Sequence, residues 1–231
     1  MCFSANASFA AAGLLSVISL LSIRKVHTKK ITLIALTPLF FGLQQASEGF
    51  VWLGLNKGDT TSMLYLTSMY LFLFFAAAFW PTWIPLSLYV AEESQKKRRL
   101  LQIFMYGGIV VSLLFLYCWV LQTTGAVATN HHIDYPVINY PFDIANGPHR
   151  KIADYLLGFF YSITTIVPFF ISTIPYMNIV GTTIGIGALV AYIFYVATFP
   201  SVWCFFAAAG SLLMYFVICN YEKKEKKIEL F

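Results

Sequence analysis

The chain has 231 residues, of which 59% are hydrophobic and only 11% are charged. A soluble domain carries about 25% charged residues, so this chain cannot coat a water-exposed surface and is predicted to fold in a lipid bilayer. Its formal net charge of +5 does not indicate nucleic-acid binding, because the lysines and arginines lie in short clusters between apolar runs and are not interleaved with stacking aromatic residues.

Seven stretches of the chain are long and apolar enough to form spanning helices, which need roughly 20 mostly apolar residues. They lie near residues 6–23, 31–55, 62–83, 100–121, 152–173, 177–198 and 200–220. The predicted fold is therefore all-α: a polytopic membrane bundle of seven transmembrane helices, forming a single domain over residues 1–231 and surrounded by membrane lipids.

The distribution of basic residues orients this bundle. Positive charge follows the first stretch, at Arg24 and Lys25, which is typical of a retained helix rather than of a signal peptide. Twelve lysines and arginines lie at one set of helix ends and three at the other. The positive-inside rule places the larger set in the cytoplasm, so the N-terminus is predicted outside, the C-terminus inside and the number of spans odd.

The second stretch contains Glu48, the one acidic residue well within an apolar span. Gln44, Gln45 and Trp52 lie three or four residues away and therefore share its side of a helix. A charged group is costly in a bilayer, and such residues usually face the bundle interior and have a function. These four residues are predicted to bind a ligand in the outer half of the membrane. The alternative is a protonated Glu48 that only locks helices together through hydrogen bonds.

The third stretch runs into a segment with two tryptophans and two prolines, which comprises Trp80, Pro81, Trp83 and Pro85. Proline ends or kinks a helix, and tryptophan favours the headgroup level of a membrane. The pattern predicts that the helix leaves the membrane here and that an interfacial segment follows to Glu93.

The longest connection, residues 122–151 on the outer side, is predicted to form an ordered cap, because it combines turn formers with aromatic residues. It contains His131, His132 and His149 together with carboxylates. Such clusters match the ligand preferences of zinc and similar divalent ions. These histidines are therefore predicted metal ligands, with the thiolate of Cys2 as a further candidate. The alternative is that they only solvate an exposed loop.

The fifth stretch carries Asp154 and Tyr161 on one helix face, so both are predicted to extend the polar site towards Glu48. The outer-side cysteines Cys2, Cys118 and Cys204 are interpreted either as small packing residues or as candidates for one disulfide in an oxidising compartment.

Gly181 and Gly185 of the sixth stretch form a small-xxx-small pair, which lets two helices approach closely. The pair predicts intramolecular packing or, as the alternative, a homodimer.

The opening Met1-Cys2-Phe3-Ser4-Ala5, the stretch from Leu43 to Trp52 that reads LQQxxEGxxW, and the Trp80–Pro85 segment resemble an uncharacterised family of bacterial integral membrane proteins. The motifs cover about the first 90 residues. The resemblance implies a multi-pass protein of the bacterial cytoplasmic (inner) membrane, and it draws attention to Cys2, Gln44, Gln45, Glu48 and Trp52. It implies no activity.

The predicted topology is also similar to that of seven-span metal hydrolases such as the alkaline ceramidases and adiponectin-receptor-like proteins. The chain departs from their pattern, since its seventh span has no His-xxx-His, its third span has no Asp, and its histidines lie on the outer side. The similarity therefore stays at the level of topology, which says little about function.

Three functions follow as hypotheses. The first is binding or transport of a small ligand or ion at the polar site around Glu48. The second is a metal-dependent intramembrane hydrolase, in which the histidines hold the metal and Glu48 or Asp154 acts as general base. The third is a structural subunit that packs against another membrane protein.

Overall fold

The structure, a computed structural model, describes residues 4–121, 123, 125–129, 132–136, 148–194 and 199–229. It is almost entirely helical. The helices are α1 (Ala5–Lys25), α2 (Thr32–Lys57), α3 (Met63–Leu73), α4 (Trp80–Ala91), α5 (Gln95–Phe115), α6 (Pro148–Ile171), α7 (Met177–Phe194), α8 (Phe199–Ser211) and α9 (Leu213–Glu229). A short 3₁₀ turn (Lys29–Ile31) precedes α2, and π-helical segments (Phe74–Phe79 and Leu116–Val120) follow α3 and α5.

Burial along α1 is the reverse of that in a soluble helix. Its buried face includes Ser8, Ser19 and Ser22, whereas Leu14 and Leu20 are more than half exposed. Water around the bundle would make this arrangement unfavourable, because apolar surface is driven out of water. The same inversion along other helices, with exposed Leu, Ile and Phe side chains, indicates a lipid environment.

Four helical stretches are long and apolar enough to cross a membrane: Ala5–Lys25, Met63–Ala91, Gln95–Phe115 and Met177–Phe194. Helix α2 has a sufficient length of 26 residues but is not among them, because Gln44, Gln45 and Glu48 lower its hydropathy. The chain is therefore an all-α protein with the character of a membrane protein.

The helices pack mainly against their neighbours in sequence. Helices α1 and α2 form a close hairpin, α4 to α8 continue the bundle, and α9 packs against α1. We call the end with residues 24–30, 92–99 and 222 the basic end. The opposite end, the hairpin end, carries a two-stranded antiparallel sheet of β1 (Val127–Thr129) and β2 (His132–Asp134).

The β-hairpin covers the hairpin end of the bundle. Ile133 is fully buried, the ring of Tyr135 stacks on that of Phe72 with 5.2 Å between ring centroids, and the Tyr65 hydroxyl accepts a hydrogen bond from the Ala126 backbone N–H. This part of the predicted cap is thus folded onto the helices.

The helix that begins at α3 does not end at the tryptophan–proline segment. It continues through the π-helical segment Phe74–Phe79 into α4 and stops at Ala91, so the interfacial segment predicted up to Glu93 is helix instead. Pro85 leaves the carbonyl of Pro81 without its helical N–H partner. Gly108 of α5 packs directly onto that carbonyl, and a Cβ at position 108 would collide with it.

The glycine pair of α7 lies inside the chain's own packing. A Cβ at Gly181 would come within 2.6 Å of the Cβ of Phe169 in α6, and one at Gly185 would be 3.7 Å from Ile166. Both glycines therefore serve the contact between α6 and α7, which is the intramolecular alternative. A homodimer stays a prediction.

At the basic end, two buried carboxylates hold the connections between helices. Glu92 accepts hydrogen bonds from the backbone N–H and the hydroxyl of Thr173, both at 2.7 Å, and Glu222 accepts from the backbone N–H groups of His27 and Thr28 at 3.0 and 3.1 Å. Such charge-assisted bonds are stronger than neutral ones. They tie α4 to the α6–α7 connection and α9 to the α1–α2 connection.

Candidate functional site

The polar stripe of α2 lies in the middle of the bundle. Gln44, Gln45 and Glu48 have no exposed surface at all. The sequence predicted that these three residues would share a side of the helix, and the structure divides them between two neighbouring faces. Gln44 and Glu48 face α4 and α8, as their contacts below establish, whereas Gln45 belongs to the stripe that packs against α1.

On the face towards α4, Trp80 contacts two residues of α2. Its indole Nε1 donates a hydrogen bond of 2.8 Å to Oε1 of Gln44, and its ring stacks on Phe41 at 3.7 Å between centroids. One turn further on, Trp83 donates to the hydroxyl of Thr37 at 3.1 Å. The tryptophans expected at the headgroup level are thus joined to polar residues of α2, and Trp80 is buried in the core.

Helices α6 and α8 complete this face. The buried thiol of Cys204 interacts with the side chain of Gln44 and with the carboxyl group of Glu48, and it also lies close to the hydroxyl group of Tyr161. Cys204 is a free cysteine. The structure therefore links Tyr161 and Glu48 through Cys204, which interacts with both.

Tyr161 has a second partner in the π-helical segment. Its hydroxyl donates a 2.6 Å hydrogen bond to the backbone carbonyl of Ala76. Its ring makes an edge-on contact with Trp203, with 5.1 Å between centroids. Tyr161 thereby connects α6 to both α3–α4 and α8.

The face towards α1 is different, because among the described residues its polar side chains lack hydrogen-bond partners altogether, whereas Gln44 has one unpaired atom, Nε2. Neither Nε2 nor Oε1 of Gln45 has a hydrogen-bond partner among the described residues, and the same holds for the hydroxyl of Ser8 on α1. A buried polar group that is left unsatisfied costs about 1–3 kcal/mol. Such groups in a native protein call for an explanation, such as a bound water or ion.

The register of the α1–α2 hairpin places Ser8 near Glu48. Gly42 lies against Ala12 and Ser16, and Gly49 lies against the ring of Phe9. Because the two helices run antiparallel, Ser8 comes level with residues 48 and 49. Ser8 is therefore level with Glu48 along the hairpin, and Gln45 lies about one turn before Glu48 on α2.

A small cavity borders this cluster. It has a volume of about 30 Å³, and its lining includes Trp80, Tyr161, Trp203 and Cys204. A cavity holds a water when it offers roughly 10–15 Å³ to the probe and several polar partners. This one has the volume, but its lining is mostly apolar and does not include Gln44, Gln45 or Glu48.

Trp52, the fourth predicted residue of α2, lies one turn beyond Glu48 towards the hairpin end. It is buried in a separate apolar cluster with Tyr65 and Met69. Above that cluster is a larger cavity of about 250 Å³, lined by residues that include Tyr65, Met69, Thr123 and Pro136. The cavity lies between α3 and part of the described cap, beside the hydrogen bond of Ala126 to Tyr65.

The predicted metal site is not supported by the part of the chain that the structure describes. Nowhere in it do three His, Cys, Asp or Glu side chains come together to hold an ion. His132 is buried in β2 opposite Thr129. Cys2 and His131 lie outside the described residues, and so do the side chains of His149 and Asp154 in α6.

Sequence reasoning missed the partners that come from distant helices. The sequence predicts Trp80 at a membrane surface and Cys204 in a disulfide or in packing, and it predicts no role for Ser8. The one available signal for Trp80 was its presence in the same set of recurring motifs as Gln44. No local pattern indicated that Ser8 is buried beside the polar stripe.

Comparison with known proteins adds a family but no activity. The model of a family of unknown function, DUF6629, matches residues 1–228. No curated protein and no solved structure matches the chain. The match agrees with the predicted membership of an uncharacterised family and extends it from the first 90 residues to almost the whole chain.

Proposed function

Because the chain belongs to the DUF6629 family, whose function is unknown, we propose a function from its own geometry. In this proposal the protein is a multi-pass protein of the bacterial cytoplasmic membrane. It binds a small polar ligand or ion at the cluster of Gln44, Gln45 and Glu48, as a transport protein does. The observation that carries this proposal is the fully buried amide of Gln45, for which no described residue supplies a hydrogen-bond partner.

The proposed topology has seven spans, an outer N-terminus and a cytoplasmic C-terminus. Seven helical units support it: α1, α2, α3 with α4, α5, α6, α7, and α8 with α9. The basic end, which has most of the lysines and arginines, is then cytoplasmic. Glu48 lies nearer to the Lys57 end of α2 than to its Thr32 end, so the site belongs to the outer half of the membrane.

A purely structural role for the cluster explains only part of it. The bond from Trp80 to Gln44 is the kind of contact that locks helices together. Gln45 makes no such bond, yet its polar side chain is retained where an apolar residue would pack without penalty. Residues that cost stability in this way are typical of functional sites.

Access to the site tests this proposal directly, because Cys204 lies beside Glu48. The full chain in native-like membranes would be treated with a small neutral thiol reagent, methyl methanethiosulfonate, and with its positively charged aminoethyl analogue. Mass spectrometry of the Cys204 peptide gives the reaction rate, and Cys219, half-buried near the basic end, serves as internal reference.

We expect both reagents to modify Cys204 in the folded protein, since a binding site must exchange its contents with solvent. Glu48→Gln should slow the charged reagent several-fold and leave the neutral one unchanged, because only the charged reagent is attracted by the carboxylate. A thiol that resists both reagents until the protein unfolds would mean a sealed, structural core and would overturn the proposal.

A further inference from the structure

Four consecutive basic residues, Lys96, Lys97, Arg98 and Arg99, lie in the first turn of α5. None of their side chains has an ion pair or a hydrogen bond with any described residue. The guanidinium of Arg98 lies over the ring of Tyr89, 4.7 Å from its centroid, and its buried Nε has no described partner. Like charges so close together on a helix repel one another, so an anion bound among them would stabilise the start of α5.

The carboxylates that precede α5 are engaged elsewhere. Glu92 accepts hydrogen bonds from Thr173 and from the backbone N–H of Ser94, and Glu93 forms an ion pair of 2.7 Å with Lys30. The first turn of α5 contains no acidic residue, and Ser94 makes no side-chain capping bond. Positive side chains at the N-terminal end of a helix also oppose its dipole. Both the charge and the dipole therefore favour a negatively charged partner from outside the chain.

One face of α5 continues from these charges as an exposed stripe. The stripe comprises Lys96, Arg99, Ile103, Tyr106, Val110 and Leu113. Steps of three or four residues put all of them on one side of the helix. The two basic residues are exposed, and each of the other residues is more than half exposed. Of the four helical stretches long and apolar enough to cross a membrane, α5 is also the least buried. The stripe is therefore a lipid-facing surface with positive charge at one end.

The apolar part of the stripe has the length of one lipid leaflet. Ile103 and Leu113 are separated by about 15 Å along the helix axis, at 1.5 Å per residue. One leaflet contributes half of a hydrocarbon core about 30 Å thick. An acyl chain that lies beside the stripe therefore ends near Leu113 and places its headgroup near Lys96 and Arg99, whose long side chains can extend to the membrane surface.

We propose that Lys96 and Arg99 bind the phosphate of an anionic phospholipid, whose acyl chain lies along the stripe from Ile103 to Leu113. A free phosphate would use the charges but not the stripe, and a zwitterionic lipid would bring a cation of its own. Lysine and arginine clusters next to a spanning helix are typical of anionic-lipid recognition. The site lies apart from the cluster around Glu48, so the inference does not depend on the proposed function.

Native mass spectrometry of the full chain tests this assignment. The protein would be purified in a neutral detergent and mixed with equal amounts of phosphatidylglycerol and phosphatidylcholine that have the same acyl chains. We expect the single-lipid complex to contain phosphatidylglycerol at least about tenfold more often, because two basic residues attract its net charge. A large excess of the soluble headgroup, glycerophosphoglycerol, should not displace the lipid, because the acyl chain contributes to binding.

Two matched double variants locate the site. Lys96→Gln with Arg99→Gln should lower the preference for phosphatidylglycerol about fivefold or more. Arg24→Gln with Lys25→Gln is the control and should keep the preference. It removes the same charge from the same end of the bundle, but at the C-terminal end of α1, where the helix dipole favours positive charge. All four residues are exposed, so neither double variant should disturb the fold.

Three results would overturn the inference: equal binding of the two lipids by the native chain, an equal loss of the preference in both double variants, or displacement of the lipid by glycerophosphoglycerol. The first leaves no anionic-lipid site. The second reduces the effect to the general positive charge of the basic end, and the third indicates a site for free anions. The reactivity of Cys204 tests the cluster around Glu48 separately, so a failure of one proposal is distinguishable from a failure of the other.

Discussion

Two adjacent glutamines of α2 differ in what they do for the fold, although the sequence presents them as equivalent. Gln44 accepts the indole N–H of Trp80, whereas Gln45 has no described partner. Both are completely buried. Gln44 therefore stabilises the bundle, whereas Gln45 lowers its stability.

This difference predicts opposite effects for the same substitution. Gln44→Leu leaves the Trp80 N–H unpaired in the core and should destabilise the protein by about 1–3 kcal/mol. Gln45→Leu removes an unsatisfied amide and should be neutral or stabilising when no ligand is bound. The free energies of unfolding in detergent measure both effects. Equal destabilisation by the two variants would indicate that Gln45 also has a structural bond.

At this scale the sequence reveals the centre of the site but not its surroundings. Glu48, Gln44 and Gln45 stand out because polar residues in an apolar run are costly and therefore conspicuous. Nothing in the sequence joins Cys204, Ser8 or Trp80 to Glu48, since each is an ordinary residue in a membrane helix. The contacts of Trp80 and Cys204 with the polar stripe depend on packing between helices that are distant in sequence, and the position of Ser8 depends on the register of the α1–α2 hairpin.

At the scale of elements, the join between α3 and α4 explains why the predicted helix end was wrong. In the i→i+5 pattern of a π-helix, the carbonyl of Ala76 would pair with residue 81, which is proline and has no N–H. The hydroxyl of Tyr161 takes the place of that donor. A proline signal read from sequence alone could not include a donor supplied by α6.

Because the Tyr161 hydroxyl replaces the N–H that Pro81 lacks, substitutions at these two positions should have coupled effects on stability. Tyr161→Phe leaves the Ala76 carbonyl unpaired and should destabilise the protein by about 1–3 kcal/mol. Pro81→Ala supplies an N–H at position 81, so Tyr161→Phe should cost less in that background. A double-mutant cycle of unfolding free energies measures the coupling. Additive effects would show that the hydroxyl and the missing N–H are unrelated.

At the scale of the whole molecule, hydropathy and charge predict the fold class and the distribution of basic residues. The all-α class, the long apolar helices and the clustering of basic residues follow from composition and period, because lipid allows few alternatives to a helix. The packing at the basic end did not follow from the sequence. In the sequence, Glu92 and Glu222 look like surface residues. Their hydrogen bonds to backbone N–H groups of other connections form only when distant parts of the chain pack together.

The positive-inside rule cannot place the connection between α6 and α7, but the hydrogen bonds of Glu92 show that it lies at the basic end. The connection between α6 and α7 contains no lysine or arginine, but Glu92 binds Thr173 within it. In the proposed topology, residue 178, exposed at the start of α7, therefore lies on the same side of the membrane as Lys96. The same topology places Asp59 and Ala128, at the hairpin end, on the other side.

Cysteine scanning of intact cells checks this arrangement with a membrane-impermeant thiol label. We expect labelling from outside at Asp59→Cys and Ala128→Cys. We expect labelling at Lys96→Cys and Asn178→Cys only after permeabilisation, because the proposed topology has its basic end in the cytoplasm. If Asn178→Cys is labelled from outside while Lys96→Cys is protected, α6 does not cross the membrane together with its neighbours and the seven-span topology fails. If all four positions exchange sides, the orientation alone is inverted, and the site around Glu48 lies in the cytoplasmic half of the membrane.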